Sequence, residues 1–277
     1  MDIVVLRRGL HVSVSAIKEY LRCPRAFEMH RVRGVEPAFV PVPLAFGSAF
    51  HAALAFFYGM IKEGGAVPSL DDVTSVFVDA WRNAADGPLA LQSDDEDDAG
   101  VDHEGKGIQM IAAFHAHATA APVQVEAVEQ GFAVELHDPD TGEVLEEHLV
   151  GAFDLVLRED DRRVICEHKS SSRKYGLDQI TFDHQMTAYR LAARQLGLGE
   201  RVGLRYQIVT KTKVPAVQVA DLVRGDADED DFLRTVVGVL RAVEAGAFYP
   251  VRGWQCRGCQ YAHKCAGAKI ASLAKAA

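Results

Sequence analysis

Four cysteines constrain this chain more than any other feature. Three close it as Cys256-x2-Cys259-x5-Cys265, and a fourth, Cys23, stands alone near the other end. Thiolates at such short spacing suit a metal ion or an iron–sulfur cluster. A tetrahedral site or a cubane cluster takes four ligands, and Cys23 is the natural fourth. A fold that brings it to the triplet clasps both ends of the chain together. Closing so long a loop costs roughly 5 kcal/mol of chain entropy, which ligand bonds can offset, so binding and folding would be coupled. The competing reading is a redox pair or disulfide between Cys256 and Cys259, but nothing else suggests an oxidising compartment. Cys166 lies in an apolar run and reads as a small core residue.

The chain's 277 residues can bury one large core or two smaller ones. No N-terminal signal peptide is visible, and with free cysteines this sets the expectation of a reducing, cytoplasmic setting. Residues 44–61 contain no Asp, Glu, Lys or Arg and imitate a membrane span. Ala, Gly and His51 dilute the stretch and no basic anchors flank it, so it reads as a buried helix, with no membrane partner. The net charge of −9 argues against a general polyanion binder. Charge is uneven, however. Acids crowd into residues 94–98 and 226–231. Basic residues gather as Arg22, Arg25, Arg31 and Arg33, as Arg205, Lys211 and Lys213, and as Arg252, Arg257 and Lys264. They read either as ordinary solvated surface or as local contacts beside the candidate sites.

Periodicity divides the chain. Residues 13–33 read as a helix that Pro24 breaks or restarts, and Pro37, Pro41 and Pro43 as an extended link. Helices follow at about 44–62, 70–83 and 107–119, with a loop over 86–106. Strand-type alternation then covers 123–136, 146–158 and 162–169, with turns at 138–142 and 159–161. A helix at 183–197, a strand at 203–210 and a helix at 228–245 complete the pattern. The expectation is an α/β protein: a helical section at 1–120 carrying Cys23 and His51, a mixed sheet core at 121–250, and a cysteine loop at 251–277.

Two acids stand in strands that otherwise want apolar residues. They are Asp154 in Gly151-Ala152-Phe153-Asp154 and Glu167 in Cys166-Glu167-His168-Lys169. Side chains alternate along a strand, so Glu167 and Lys169 point the same way, and a hairpin can bring Asp154 beside them. Burying two carboxylates is costly without a counter-charge. Oxygen ligands of this kind suit Mg²⁺ or Mn²⁺. A solvated face with an acid–lysine pair explains these two segments equally well.

Gly-x-x-Asp, a dozen residues, then Glu-x-Lys resembles the PD-(D/E)xK nuclease superfamily. Residues 15–27, with Cys23-Pro24 inside them, resemble the N-terminal segment of its RecB-like branch. Gly47 and His51 resemble that branch's Gly-x-x-x-His helix, and Gln185 and Tyr189 its Gln-x-x-x-Tyr helix. The four cysteines resemble the subgroup with an iron–sulfur cluster, found in AddB-type helicase–nucleases and in exonucleases of CRISPR adaptation. Phe153 departs from the Pro of the family's name motif. The resemblance implies a restriction-endonuclease-like core and a [4Fe–4S] cluster on Cys23, Cys256, Cys259 and Cys265, where spacing alone leaves zinc open. It implies a catalytic Mg²⁺ or Mn²⁺ held by His51, Asp154, Glu167 and the His168 carbonyl. Lys169 would act on the attacking water and on the growing phosphate charge, with Gln185 and Tyr189 positioning Lys169 or the DNA backbone. The implied activity is metal-dependent exonuclease action on DNA, with single-stranded ends favoured, in repair, recombination or CRISPR processing beside a helicase or adaptation partner. A structure-specific endonuclease and a non-catalytic DNA-end-binding module are the alternatives.

Overall fold

The computed structural model describes residues 11–92, 101–199 and 202–265. The acidic run at 94–98 lies outside them. A short strand β1 (His11–Val12) leads into helix α1 (Val14–Arg22), capped by the Ser13 hydroxyl, which accepts from the Ala16 N–H at 3.2 Å. Cys23 is extended, and the chain restarts at Pro24 as α2 (Pro24–Phe27), ending in a π turn at Glu28–Val32. The proline therefore opens a new helix, where its missing N–H costs nothing. A short strand β2 (Val40–Pro41) precedes α3 (Val42–Gly64), α4 (Leu70–Ala85), a short β3 (Leu91–Gln92) and α5 (His103–Ala118). Pro43 stands in the first turn of α3 and not in an extended link. The expected loop at 86–106 is interrupted by β3 and loses its last residues to α5, which Asp102 caps by accepting from the Gly105 N–H at 2.8 Å.

The long strands follow: β4 (Gln124–His137), β5 (Val144–Glu159) and β6 (Arg162–Ser171). Helices α6 (Leu177–Thr181) and α7 (His184–Gln195) cross to β7 (Gly203–Thr210) and β8 (Val217–Leu222), and α8 (Asp226–Glu244) precedes the cysteine segment. The sheet runs β1-β5-β6-β7-β8, with β4 also paired to β5. Strands β4, β5 and β6 form an antiparallel meander, and β6 pairs β7 in parallel. That parallel step needs a crossover, which α6 and α7 supply.

Two cores sit on opposite faces of the sheet. Helices α3, α4 and α5 cover one, with Phe46, Phe50, Phe57, Phe77 and Phe114 against Leu155, Val164 and Cys166. Helices α1, α7 and α8 cover the other, with Ile17, Met186, Leu191 and Phe232 against Phe153, Ile165 and Tyr206. The N-terminal helical section is thus split between both faces. Helix α3 is long and apolar enough to cross a membrane by length and composition. Here its Phe46, Phe50, Leu54 and Phe57 are buried against the sheet and its neighbours, as in a core helix. Cys166 is buried as expected, and burial pushes its thiol pKa up to about 12.

Candidate active site

Strands β4, β5 and β6 build the site where β4 and β5 change face together. Phe153 packs in the core under α7, yet Leu155 packs in the core under α3 to α5. On β4, Ala127 and Phe132 belong with the first core and Val128 with the second. Both strands slip face at Glu129 and Asp154, which lie across from each other between the pairs Val128↔Leu155 and Gln130↔Phe153. Glu129 carries the slip in its backbone, at φ +47°, a left-handed conformation that Glu rarely adopts. Gly151 is required nearby, because a Cβ there would meet the Phe132 ring at 2.5 Å. That ring packs on Phe153 and edge-on to Tyr189, with centroids 4.8 and 6.1 Å away.

Helix α3 brings His51 to the slip. Its Nδ1 lies 3.5 Å from Asp154 Oδ2, and the ligand atoms of His51, Glu129 and Asp154 all lie within 4.8 Å of one another. One turn earlier, Gly47 leaves open space on the same helix face. The second Asp154 contact is the His168 backbone N–H, which donates to Oδ2 at 2.8 Å.

Glu167, 1% exposed, belongs to a closed ring of hydrogen bonds. Lys169 Nζ donates to Glu167 Oε1 and to Gln185 Oε1, the latter at 3.1 Å. Gln185 Nε2 donates to the Tyr189 hydroxyl at 3.2 Å, and that hydroxyl donates to Glu167 Oε2 at 2.6 Å, with the Ala152 carbonyl as an alternative acceptor at 2.7 Å. Gln185 and Tyr189 therefore touch Lys169 and Glu167 directly. Their four-residue spacing on α7 puts both on the face toward the sheet. Asp183 caps α7 by accepting from the Gln185 N–H at 2.8 Å, and binds Lys18 of α1 at 2.6 Å.

The electrostatics describe acids short of counter-charge. Burial, then the neighbouring Glu167, holds the Asp154 carboxyl well above the usual carboxylate range. Burial and Glu167 likewise raise Glu129. Burial alone would lower Lys169, but Glu167 and Asp154 outweigh it and the net shift is upward, so the lysine stays protonated. Burial lowers His51, which favours the neutral imidazole that ligates metals. Three carboxylates against one ammonium leave two negative charges uncompensated, and a divalent cation closes that balance. The donor set, one imidazole with carboxylate oxygens, fits Mg²⁺ or Mn²⁺. His168 is fully buried and stacked on Tyr58 at 5.6 Å, with neither ring nitrogen hydrogen-bonded. Burial, then His51 and Lys169, lowers its pKa to about 3, so its ring is neutral.

Sequence reasoning missed Glu129. Its signal was the broken alternation of β4, where apolar positions change from Val123, Val125 and Ala127 to Val128, Phe132 and Val134. The pairing register runs unbroken through Glu129, so the change of face there comes from its left-handed backbone and not from an inserted residue, and strained backbone of that kind gathers at functional sites.

The four cysteines meet elsewhere, between the chain ends. Cys23, Cys256, Cys259 and Cys265 are free and together line one cavity of about 40 Å³. Backbone bonds clasp the segments: the Arg25 N–H donates to the Tyr249 carbonyl at 3.1 Å, and the Ala38 N–H to the Gln260 carbonyl at 3.0 Å. Tyr261 is buried and stacks on His30 at 5.8 Å. Burial raises the Cys259 thiol; the Tyr261 N–H opposes this, and Cys23, Cys265 and Cys256 add to it. Four converging thiols, with the Cys259 thiol raised by burial, fit a group that supplies positive charge. Much of the basic residue set near the sites is already engaged. Arg25 pairs with Glu28, Arg31 with Glu19, and Arg205 with both Glu159 and Asp221.

A helix-flanked mixed sheet carrying this acid, imidazole and lysine set defines a metal-dependent nuclease of restriction-endonuclease-like architecture. The chain belongs to the PD-(D/E)XK nuclease superfamily, whose family model matches residues 11–266. Among solved structures it is similar to a protein from Eubacterium rectale provisionally named an exonuclease. The TM-score is 0.53 at 16% identity, over 91% of this chain and 87% of that one. The structure of SSO0001 matches over 91% of this chain and 94% of its own at 14% identity, but its TM-score of 0.37 carries no argument. No curated protein matches the sequence significantly.

Proposed function

We propose that the protein is a divalent-metal-dependent deoxyribonuclease that shortens DNA from single-stranded ends. The observation that carries this reading is the hydrogen-bonded ring of Lys169, Gln185, Tyr189 and Glu167 set beside the His51, Glu129 and Asp154 group. His51, Glu129, Asp154 and Glu167, with the His168 carbonyl, would hold Mg²⁺ or Mn²⁺. When bound, such an ion polarises the phosphate and lowers the pKa of water. Lys169 is protonated, so it donates: it stabilises negative charge growing on the phosphate oxygens and is not the general base. Gln185 fixes the direction of the Lys169 ammonium. Tyr189 orients Glu167 by donating a hydrogen bond to its Oε2. In-line attack by water then cleaves the phosphodiester without a covalent enzyme intermediate.

Cys23, Cys256, Cys259 and Cys265 would hold a [4Fe–4S] cluster, whose contribution is structural: it locks α2 to the C-terminal segment. The provisional name of the Eubacterium rectale protein points toward exonuclease action. The RecB-like resemblance suggests work in repair, recombination or CRISPR processing beside a helicase or adaptation partner. The test is digestion of end-labelled single- and double-stranded DNA with Mg²⁺, with Mn²⁺ and with neither. Metal-dependent shortening of the single strand from one end is the expected result. No cutting under any condition overturns the nuclease reading, and a single internal cut replaces exonuclease by endonuclease.

A further inference from the structure

We propose that the rim just beyond Lys169 binds the DNA strand, with Phe182 stacking on a base and Arg173, Lys174 and Lys213 holding phosphates. The inference rests on the nuclease reading and names the surface that serves it. Two segments form this rim: residues 172–183 between β6 and α7, and the turn between β7 and β8. They leave the sheet together. Ser171 pairs with Thr210, and the Lys211 N–H donates to the Ser171 carbonyl at 2.7 Å. Gln218 clamps Tyr175 from β8, accepting from its N–H at 2.9 Å and donating to its carbonyl at 3.1 Å. The first segment starts right after the strand that carries Lys169 and ends on Asp183, the cap of the helix that carries Gln185.

The rim has an unusual surface. Leu177 is 83% exposed, Phe182 77% and Val214 78%. Apolar side chains this exposed on the two segments that leave the sheet beyond Lys169 indicate a binding surface. Its charge gives the partner's sign. Arg173, Lys174 and Lys213 are exposed, and among the described residues none has an ion pair. Many arginines elsewhere are neutralised, as in Arg82 with Glu104 and Arg234 with Asp140, while Arg22, Arg33 and Arg257 near the cysteines also have no ion pair among the described residues. Lys211 lies over the Phe46 ring at 3.9 Å. The rim's acids are Asp178, which is exposed, and Asp183, which is held by Lys18. In a chain of net charge −9, unpaired cations on the same segments as an exposed aromatic ring fit single-stranded nucleic acid, whose bases stack while its phosphates bind cations.

The test is fluorescence anisotropy with a short labelled oligothymidylate in Ca²⁺, across a salt series, using the full chain. Phe182→Ala should weaken binding roughly tenfold without changing the slope of log affinity against log salt, and Phe182→Trp should keep it. Arg173→Ala and Lys174→Ala should each flatten that slope by about 0.7. Wild-type affinity in Phe182→Ala, with unchanged slopes in the cation variants, overturns the proposal while DNA cutting persists. If the rim instead serves a protein, these variants bind and cut DNA as wild type does, which also overturns it. A wild-type protein that neither binds nor cuts DNA sinks the nuclease reading itself.

Discussion

The two candidate centres are built in opposite ways. The acid and imidazole centre stands on the middle of a six-stranded sheet between two cores, with its lysine held in a closed hydrogen-bonded ring. The cysteine centre hangs between the chain ends, on short helical turns joined by a few backbone bonds. The first is preorganised by packing and needs its ion for charge balance. The second has little core of its own, and the proposed cluster would supply its cohesion. Removing a metal should therefore act on activity at one centre and on structure at the other.

The largest expected effects are catalytic. Asp154→Asn should abolish cutting, and Lys169→Met should reduce the rate by about 10²–10³-fold or more, both measured on end-labelled DNA with the fold intact by circular dichroism. Cys259→Ser should act in the reverse sense. Iron content should fall, the melting temperature should drop by several degrees, and the remaining folded protein should still bind Mn²⁺. If Cys259→Ser melts like wild type, the clasp is not structural and the contrast between the centres fails. A smaller effect belongs to Tyr189→Phe. It leaves Glu167 Oε2 without its phenol donor, a loss of about 1.5–3 kcal/mol for a bond to a charged group, so turnover should fall by about 10- to 100-fold. Unchanged turnover in that variant would separate α7 from the chemistry.

The smallest effect is on stability against pH. Asp154 and Glu129 have raised pKa values when folded, so the folded chain binds more protons than the unfolded chain above the ordinary carboxylate range. Stability of the metal-free protein should then decline as pH rises through that range, and Asp154→Asn should raise the melting temperature at neutral pH. Adding Mg²⁺ should remove the pH trend in the wild type. A metal-free protein that stabilises as pH rises through the same window would show that the acids are not short of counter-charge.

Much of this was legible because local rules suffice for it. Strand β6, holding Glu167 and Lys169, follows period-two alternation, β5 does so on either side of Asp154, and the Gln185 and Tyr189 spacing follows one helical face. What stayed hidden depends on neighbours. Strand β8, with Ala220 and Asp221 in it, has weak strand propensity and is fixed by pairing to β7. Helix α6 is a single short turn demanded by the crossover. Glu129 joins the site only because the backbone turns left-handed there, a tertiary compromise that propensity does not carry. The basic residues misled for the same reason: Arg205 reads as a free cation until Glu159 and Asp221 are placed beside it.

The most direct test of the central claim is a calorimetric titration of Mn²⁺ into the wild type, Asp154→Asn and Lys169→Met, with cleavage assayed on the same samples. The account predicts one Mn²⁺ site in the wild type that cuts DNA. It predicts the site lost in Asp154→Asn, and retained with undiminished affinity but without cutting in Lys169→Met. Normal Mn²⁺ binding by Asp154→Asn, or full cutting by Lys169→Met, would contradict it.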